Sequence, residues 1–126
     1  MARAVLIVDD EQHIRLLIEQ TLEELLDEDV ERYTAADGDE AIAAIAAQHP
    51  DLVFLDVMMP GRSGLDVCRA VRADPELAGA HIVLLTAKGQ AQDRDEGLAA
   101  GADAFLTKPF DPDALLALAR GVLGLP

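Results

Sequence analysis

The chain has 126 residues and a mass of 13.4 kDa, with 51% hydrophobic and 27% charged residues, enough for one packed core and too apolar for a disordered segment. Ten Lys+Arg against 24 Asp+Glu leave a net charge of −14, which argues against direct nucleic-acid binding and against an anionic membrane surface. The single cysteine, Cys68, excludes an internal disulfide and a cysteine-built metal centre. No apolar run approaches the ~20 residues of a membrane span. The Ala4–Val8 run, ending in two aspartates, is too short and too acidic for a signal peptide. A soluble cytoplasmic protein is the expectation. Acidic residues crowd the amino-terminal quarter, where Glu23, Glu24, Asp27 and Glu28 read as a solvated face.

Short apolar runs alternate with helical patterns five times. Ala4-Val-Leu-Ile-Val8 is continuously apolar, as a strand covered on both faces must be. Ile14, Leu17, Ile18, Leu22, Leu25 and Leu26 then recur at helical spacing and predict an amphipathic helix from about Glu11 to Leu26. Residues 30–35 alternate weakly and read as an edge strand. Asp37 with Glu40 is a capping-box signal for a helix to about Gln48, which His49-Pro50 stops. Leu52-Val-Phe-Leu55 is the third strand, and a long loop from Asp56 to Gly64 follows it. Ser63 with Asp66 caps a third helix reaching about Arg72, and Ile82-Val-Leu-Leu85 is the fourth strand.

Residues 90–100 are helical by propensity and weak by pattern. Leu98 is the only large apolar residue there, and Gly97 costs ~1 kcal/mol relative to alanine in a helix. Ala104-Phe-Leu106 is the fifth strand. Asp111, with Pro112 at the first helical position, opens a last helix to about Leu123, in which Leu115, Leu118 and Val122 are expected to face the core, leaving Leu116 and Leu123 near an edge.

Strict alternation of this kind predicts an α/β fold: one domain over 1–126, with a five-stranded parallel sheet doubly wound by five helices in the flavodoxin-like manner. The order 2-1-3-4-5 is expected, with the most apolar strands, the first and third, near the centre. Ligands of such sheets sit at the carboxyl ends of the strands. There the sequence places Asp9-Asp10 after the first strand, Asp56 after the third, Thr86 after the fourth and Thr107-Lys108-Pro109 after the fifth. Neighbouring strands lie ~4.8 Å apart, so the three aspartates crowd one another. A hard divalent cation such as Mg²⁺ resolves that crowding, and Lys108 offers a compact charge suited to a phosphate. A lone aspartate after a strand is ordinarily a helix cap, as Asp10 alone would be. The whole set on one edge is hard to explain as caps. Cys68 and Met59 read as packing residues, and His13, His49 and His81 as surface ones.

These residues resemble the receiver domain of two-component response regulators, the chemotaxis-regulator-like superfamily. The motifs are Leu6-Ile-Val-Asp-Asp-Glu11, Leu55-Asp-Val-Met-Met-Pro-Gly61 with Gly64, Leu85-Thr-Ala87 and Gly101-Ala-Asp-Ala-Phe-Leu-Thr-Lys-Pro-Phe110, and the resemblance runs from Val5 to Leu123. It implies that Asp56 is the phosphoacceptor, taking a phosphoryl group from a sensor histidine kinase or phosphotransfer protein. Asp10, Asp56 and the backbone carbonyl of Met58 are the implied Mg²⁺ ligands, with Asp9 a ligand through water. Lys108 is the implied partner of the phosphoryl group and Thr86 the hydroxyl that moves toward it. Phe105 stands at the family's switch aromatic. The amides of Val57 and Ala87 are expected to donate to the phosphoryl group. Met58 and Lys88 stand two positions after Asp56 and Thr86, at the mouth of the site.

The implied output face is residues 90–123, meeting a protein partner or a second copy, although Asp113 and Leu118 stand where receiver dimers of transcription factors usually carry a basic residue. Lys108-Pro109 is expected to be cis, since the chain must turn there with the ammonium aimed into the site. The implied protein is no enzyme beyond assisting its own phosphorylation and dephosphorylation. An aspartyl-phosphate phosphatase of the haloacid dehalogenase type would instead need Asp-x-Asp after the first strand, and a dinucleotide fold Gly-x-Gly-x-x-Gly; neither is present. A receiver excised from a longer regulator stays open as the alternative context.

Overall fold

The computed structural model describes residues 3–87 and 91–125. Five strands, β1 (Arg3–Val8), β2 (Val30–Ala35), β3 (Leu52–Asp56), β4 (His81–Ala87) and β5 (Ala104–Lys108), form one parallel sheet in the order β2-β1-β3-β4-β5. Helices α1 (Gln12–Thr21), α2 (Gly38–Gln48), α3 (Gly64–Ala73), α4 (Ala91–Ala100) and α5 (Pro112–Leu123) cover its two faces. The most apolar runs lie inside the sheet as expected: β3 is central with β1 and β4 beside it, and nearly every residue of these three strands is buried. Alternation sorts their side chains. Leu6, Val8, Val53, Leu55, Ile82 and Leu84 join the core under α2 and α3. Val5, Ile7, Leu52, Phe54, Val83 and Leu85 join the core under α1 and α5.

Two helices differ from expectation. The first was predicted to run to Leu26, but α1 ends at Thr21 and the chain tightens into a 3₁₀ segment, Leu22–Glu28. Thr21 bonds back to the Leu17 carbonyl through its hydroxyl, and Leu22 and Leu25, three apart, meet the sheet at the 3₁₀ period while Leu17 turns outward. In α5 the buried line is Leu115, Ala119 and Leu123; Leu118 and Val122 are only partly covered. Small Ala119 at the middle of that line leaves room for the helix to lie close to the sheet, which draws Leu123 inward rather than leaving it at an edge. The acidic cluster before β2 is also more than a solvated face. Arg120 of α5 reaches Glu28 at 2.9 Å and Glu24 at 3.5 Å, tying the last helix to the 3₁₀ segment.

The strands β4 and β5 extend further than their apolar runs. Thr86 and Lys108 therefore stand within the ladder, paired with Thr107 and Ala87 respectively, and the backbone bonds of the sheet hold them in place. The Lys108–Pro109 bond is cis, as the turn out of β5 was expected to require.

Candidate functional site

The carboxyl edge of the sheet brings the sequence-predicted residues together. Asp9 follows β1 directly, and its amide continues the ladder by donating to the Ala35 carbonyl at 3.2 Å. Its side chain is 0% exposed. One carboxylate oxygen accepts from the Glu11 amide at 2.9 Å and the other from the Lys108 ammonium at 2.7 Å. Asp56 closes β3 and is 4% exposed. Its Oδ1 lies 3.2 Å from Lys108 Nζ and accepts from the Met58 amide at 3.3 Å. Asp10 stays exposed at the rim, yet one oxygen from each of Asp9, Asp10 and Asp56 lies within 4.8 Å of the others.

This crowding has an electrostatic consequence. Burial and then the charge of Asp9 push the Asp56 carboxyl up from its ordinary 3.8 to about 7, against the opposing pull of Lys108. Burial works against the Lys108 charge, but the bond to Asp9 and the nearby Asp56 outweigh it and raise its pKa. Among the described residues, one ammonium, paired with Asp9 and Asp56, stands at this cluster of three carboxylates, two of them buried. The deficit of positive charge and the all-oxygen donor set fit a hard divalent cation of the Mg²⁺ kind.

Thr86 is buried on β4, one residue beyond the Leu85 that pairs with Asp56. Phe105 pairs with Leu84 on β5, so Thr86 and Phe105 look toward the same face of the sheet. The Val57 amide does not match expectation. It donates to the Leu85 carbonyl at 3.2 Å, because the β3–β4 ladder runs one residue past the strand, and the Met58 amide faces the Asp56 carboxylate in its place. Met58 itself is 69% exposed at the mouth. Lys88 lies outside the described residues.

Other contributors were not predicted as such. A Cβ on Gly64 would come within 2.2 Å of the Asp56 carbonyl oxygen, so glycine lets the start of α3 pack directly on the end of β3. Arg15 of α1 donates to the Asp9 carbonyl at 2.6 Å. Its spacing from Asp9 carries no signal in the sequence; the contact depends on how α1 returns over β1. A separate cleft of about 450 Å³, lined by Ile45, His49, Asp51, Glu76 and His81 among others, opens at the amino ends of β3 and β4, away from the aspartates.

Known proteins share this fold. The chain is 33% identical to a candidate response regulator of Chloroflexus aurantiacus J-10-fl, covering 98% of this chain and 99% of that one with a TM-score of 0.89. It is 36% identical to the chemotaxis response regulator CheY4 of Vibrio cholerae, covering 97% and 99% respectively at a TM-score of 0.85. Against NtrX of Brucella abortus it is 34% identical at a TM-score of 0.84, with 98% of this chain covering 27% of the other. Residues 5–120 match the response regulator receiver domain family, and the chain belongs to that family.

Proposed function

We propose that this receiver, one domain over residues 1–126, accepts a phosphoryl group on Asp56 and passes the signal on through a partner-binding face. Receivers are signalling domains of two-component systems rather than conventional enzymes. The observation that carries the reading is the Asp56 carboxylate, buried at the end of β3 with the Lys108 ammonium at 3.2 Å, itself 2.7 Å from Asp9. A carboxylate oxygen of Asp56 attacks phosphorus, forming an O–P bond as the bond from phosphorus to the donor breaks and the donor leaves with that electron pair. Asp56 must be ionised to attack, and Lys108 favours the ionised form. Lys108 also lies where it can turn from Asp9 toward the new phosphoryl oxygens. Asp10, Asp56 and the Met58 carbonyl would hold Mg²⁺ directly and Asp9 through water; bound there, the ion neutralises charge on the transferring group. Thr86, buried on the next strand, supplies a hydroxyl to the phosphoryl group, and Phe105 on the same face follows its movement.

The donor is a sensor histidine kinase or phosphotransfer protein in the cytoplasm. The output is a protein partner or a second copy bound through residues 90–123, with no nucleic acid and no membrane contacted directly. Among the described residues, no helix is long and apolar enough to cross a membrane. Gln90, at the start of the expected face, lies outside the described residues.

Intact mass after treatment with acetyl phosphate and Mg²⁺ tests the reading. One phosphoryl group on the wild type and none on Asp56→Asn is expected. Equal labelling of the two proteins would refute Asp56 as the acceptor.

A further inference from the structure

Helix α4 has little hold on the core. Of its described side chains, residues 94–100, the buried ones are Gly97 and Ala100, and Leu98 is 60% exposed. Gly97 adds no surface of its own. It removes a Cβ that would otherwise come 2.5 Å from Leu84 Cδ1 and 2.8 Å from Phe105 Cε1, so the ring of Phe105 fits beneath the helix. One turn earlier, Arg94 lays its guanidinium over that same ring, 5.7 Å from the centroid. Among the described residues Arg94 makes no ion pair within 4.0 Å, so the ring face is the group its charge meets. Phe105 is thus held between the backbone of α4 and a cation carried by α4. On the sheet it stands opposite Leu84, two residues before the buried Thr86 on the same face.

We propose that Arg94 is a positioning residue that latches α4 to β5 through Phe105, and that this latch sets how readily α4 shifts when Asp56 is phosphorylated. The coupling to Asp56 rests on the phosphoacceptor reading above; the latch itself does not. A cation over an aromatic ring at an exposed position biases an equilibrium by roughly two- to fivefold. That is enough to matter for a helix with so few buried side chains, and small enough for a chemical event at the neighbouring strand end to override.

The full chain carries the test. Amide hydrogen exchange is measured over residues 94–100 in metal-free, unphosphorylated protein, for wild type, Arg94→Gln, Arg94→Lys, Phe105→Leu and the double variant Arg94→Gln/Phe105→Leu. Exchange in Arg94→Gln should rise roughly two- to fivefold. Arg94→Lys should stay near wild type, and the double variant should match Phe105→Leu. Replacing Phe105 by trifluorophenylalanine keeps the ring's shape while removing the negative charge from its face, and should reproduce Arg94→Gln if the leucine variant folds poorly. Unchanged exchange in Arg94→Gln, or the same increase when Phe105 is already gone, would overturn the latch. In parallel, the rate of phosphorylation by acetyl phosphate should rise in Arg94→Gln, and an unchanged rate would overturn the coupling. If the wild type takes no phosphoryl group at all, the phosphoacceptor reading and the coupling fail together, and the exchange measurements still decide the latch.

Discussion

Asp56 should make the metal-free protein less stable as pH rises, and Asp56→Asn should remove that penalty. The folded protein holds the Asp56 carboxyl at about 7, above its ordinary 3.8, with burial as the leading cause. Below the lower value the group is protonated in both states and contributes nothing. Between the two, the unfolded chain ionises while the folded chain keeps its proton, and stability falls by about 1.4 kcal/mol per pH unit. Above the upper value both are ionised and the penalty levels off. Integrated, this amounts to about 2 kcal/mol near pH 5 and about 4 kcal/mol near pH 8.

Asparagine does not titrate, so the variant's advantage over wild type should grow by roughly 2–3 kcal/mol across that range. For a chain of this size that is a relative gain in Tm of roughly 10 °C. Urea unfolding of both proteins in EDTA at a series of pH values measures it. Saturating Mg²⁺ should shrink the gap by stabilising the ionised wild-type carboxylate. A stability difference that stays constant from pH 5 to pH 8 in EDTA would show that Asp56 is not held protonated by its surroundings.

Asp10→Asn should raise Tm in EDTA by relieving repulsion at the rim. It should lose the Mg²⁺ stabilisation of about 1–3 kcal/mol expected of wild type when the ion greatly exceeds its Kd, and thermal unfolding with and without Mg²⁺ checks both. Met58→Asn should leave stability unchanged, since that side chain is exposed, but should speed loss of the phosphoryl group because an amide can orient an attacking water; a time course of intact mass reads the decay. Arg72→Met should cost about 3 kcal/mol or more in urea unfolding. Its guanidinium donates to the carbonyls of Gly101, Ala78 and Ala80 and pairs with Asp103 at 2.6 Å, and all four acceptors lose that partner together.

Much of this protein was readable from residue order alone. Continuous apolar runs at residues 4–8 and 52–55 mark strands buried on both faces, and alternation with helices leaves a parallel sheet as the economical arrangement. In a parallel sheet every strand ends on the same edge, so Asp9, Asp10, Asp56, Thr86 and Lys108 converge by topology whatever the details of packing. Local chemistry was legible for the same reason: Asp37, Ser63 and Asp111 cap the helices they precede, through bonds to amides two or three residues away.

What tertiary structure decided were the relations between distant segments. Asp9 and Asp10 are adjacent and chemically identical, yet one is sealed against Lys108 and the other faces water, because successive residues leaving a strand point in opposite directions. The Val57 amide has no partner written in local order, and the Leu85 carbonyl of the neighbouring strand claims it. Gly97 looked like a defect in a weak helix and is the space in which Phe105 lies. Glu24 and Glu28 looked like solvated charge and meet Arg120 from the far end of the chain. Periodicity and capping act over a few residues and are written in local order. Burial, packing clearance and ion pairing depend on which segments the completed fold presses together.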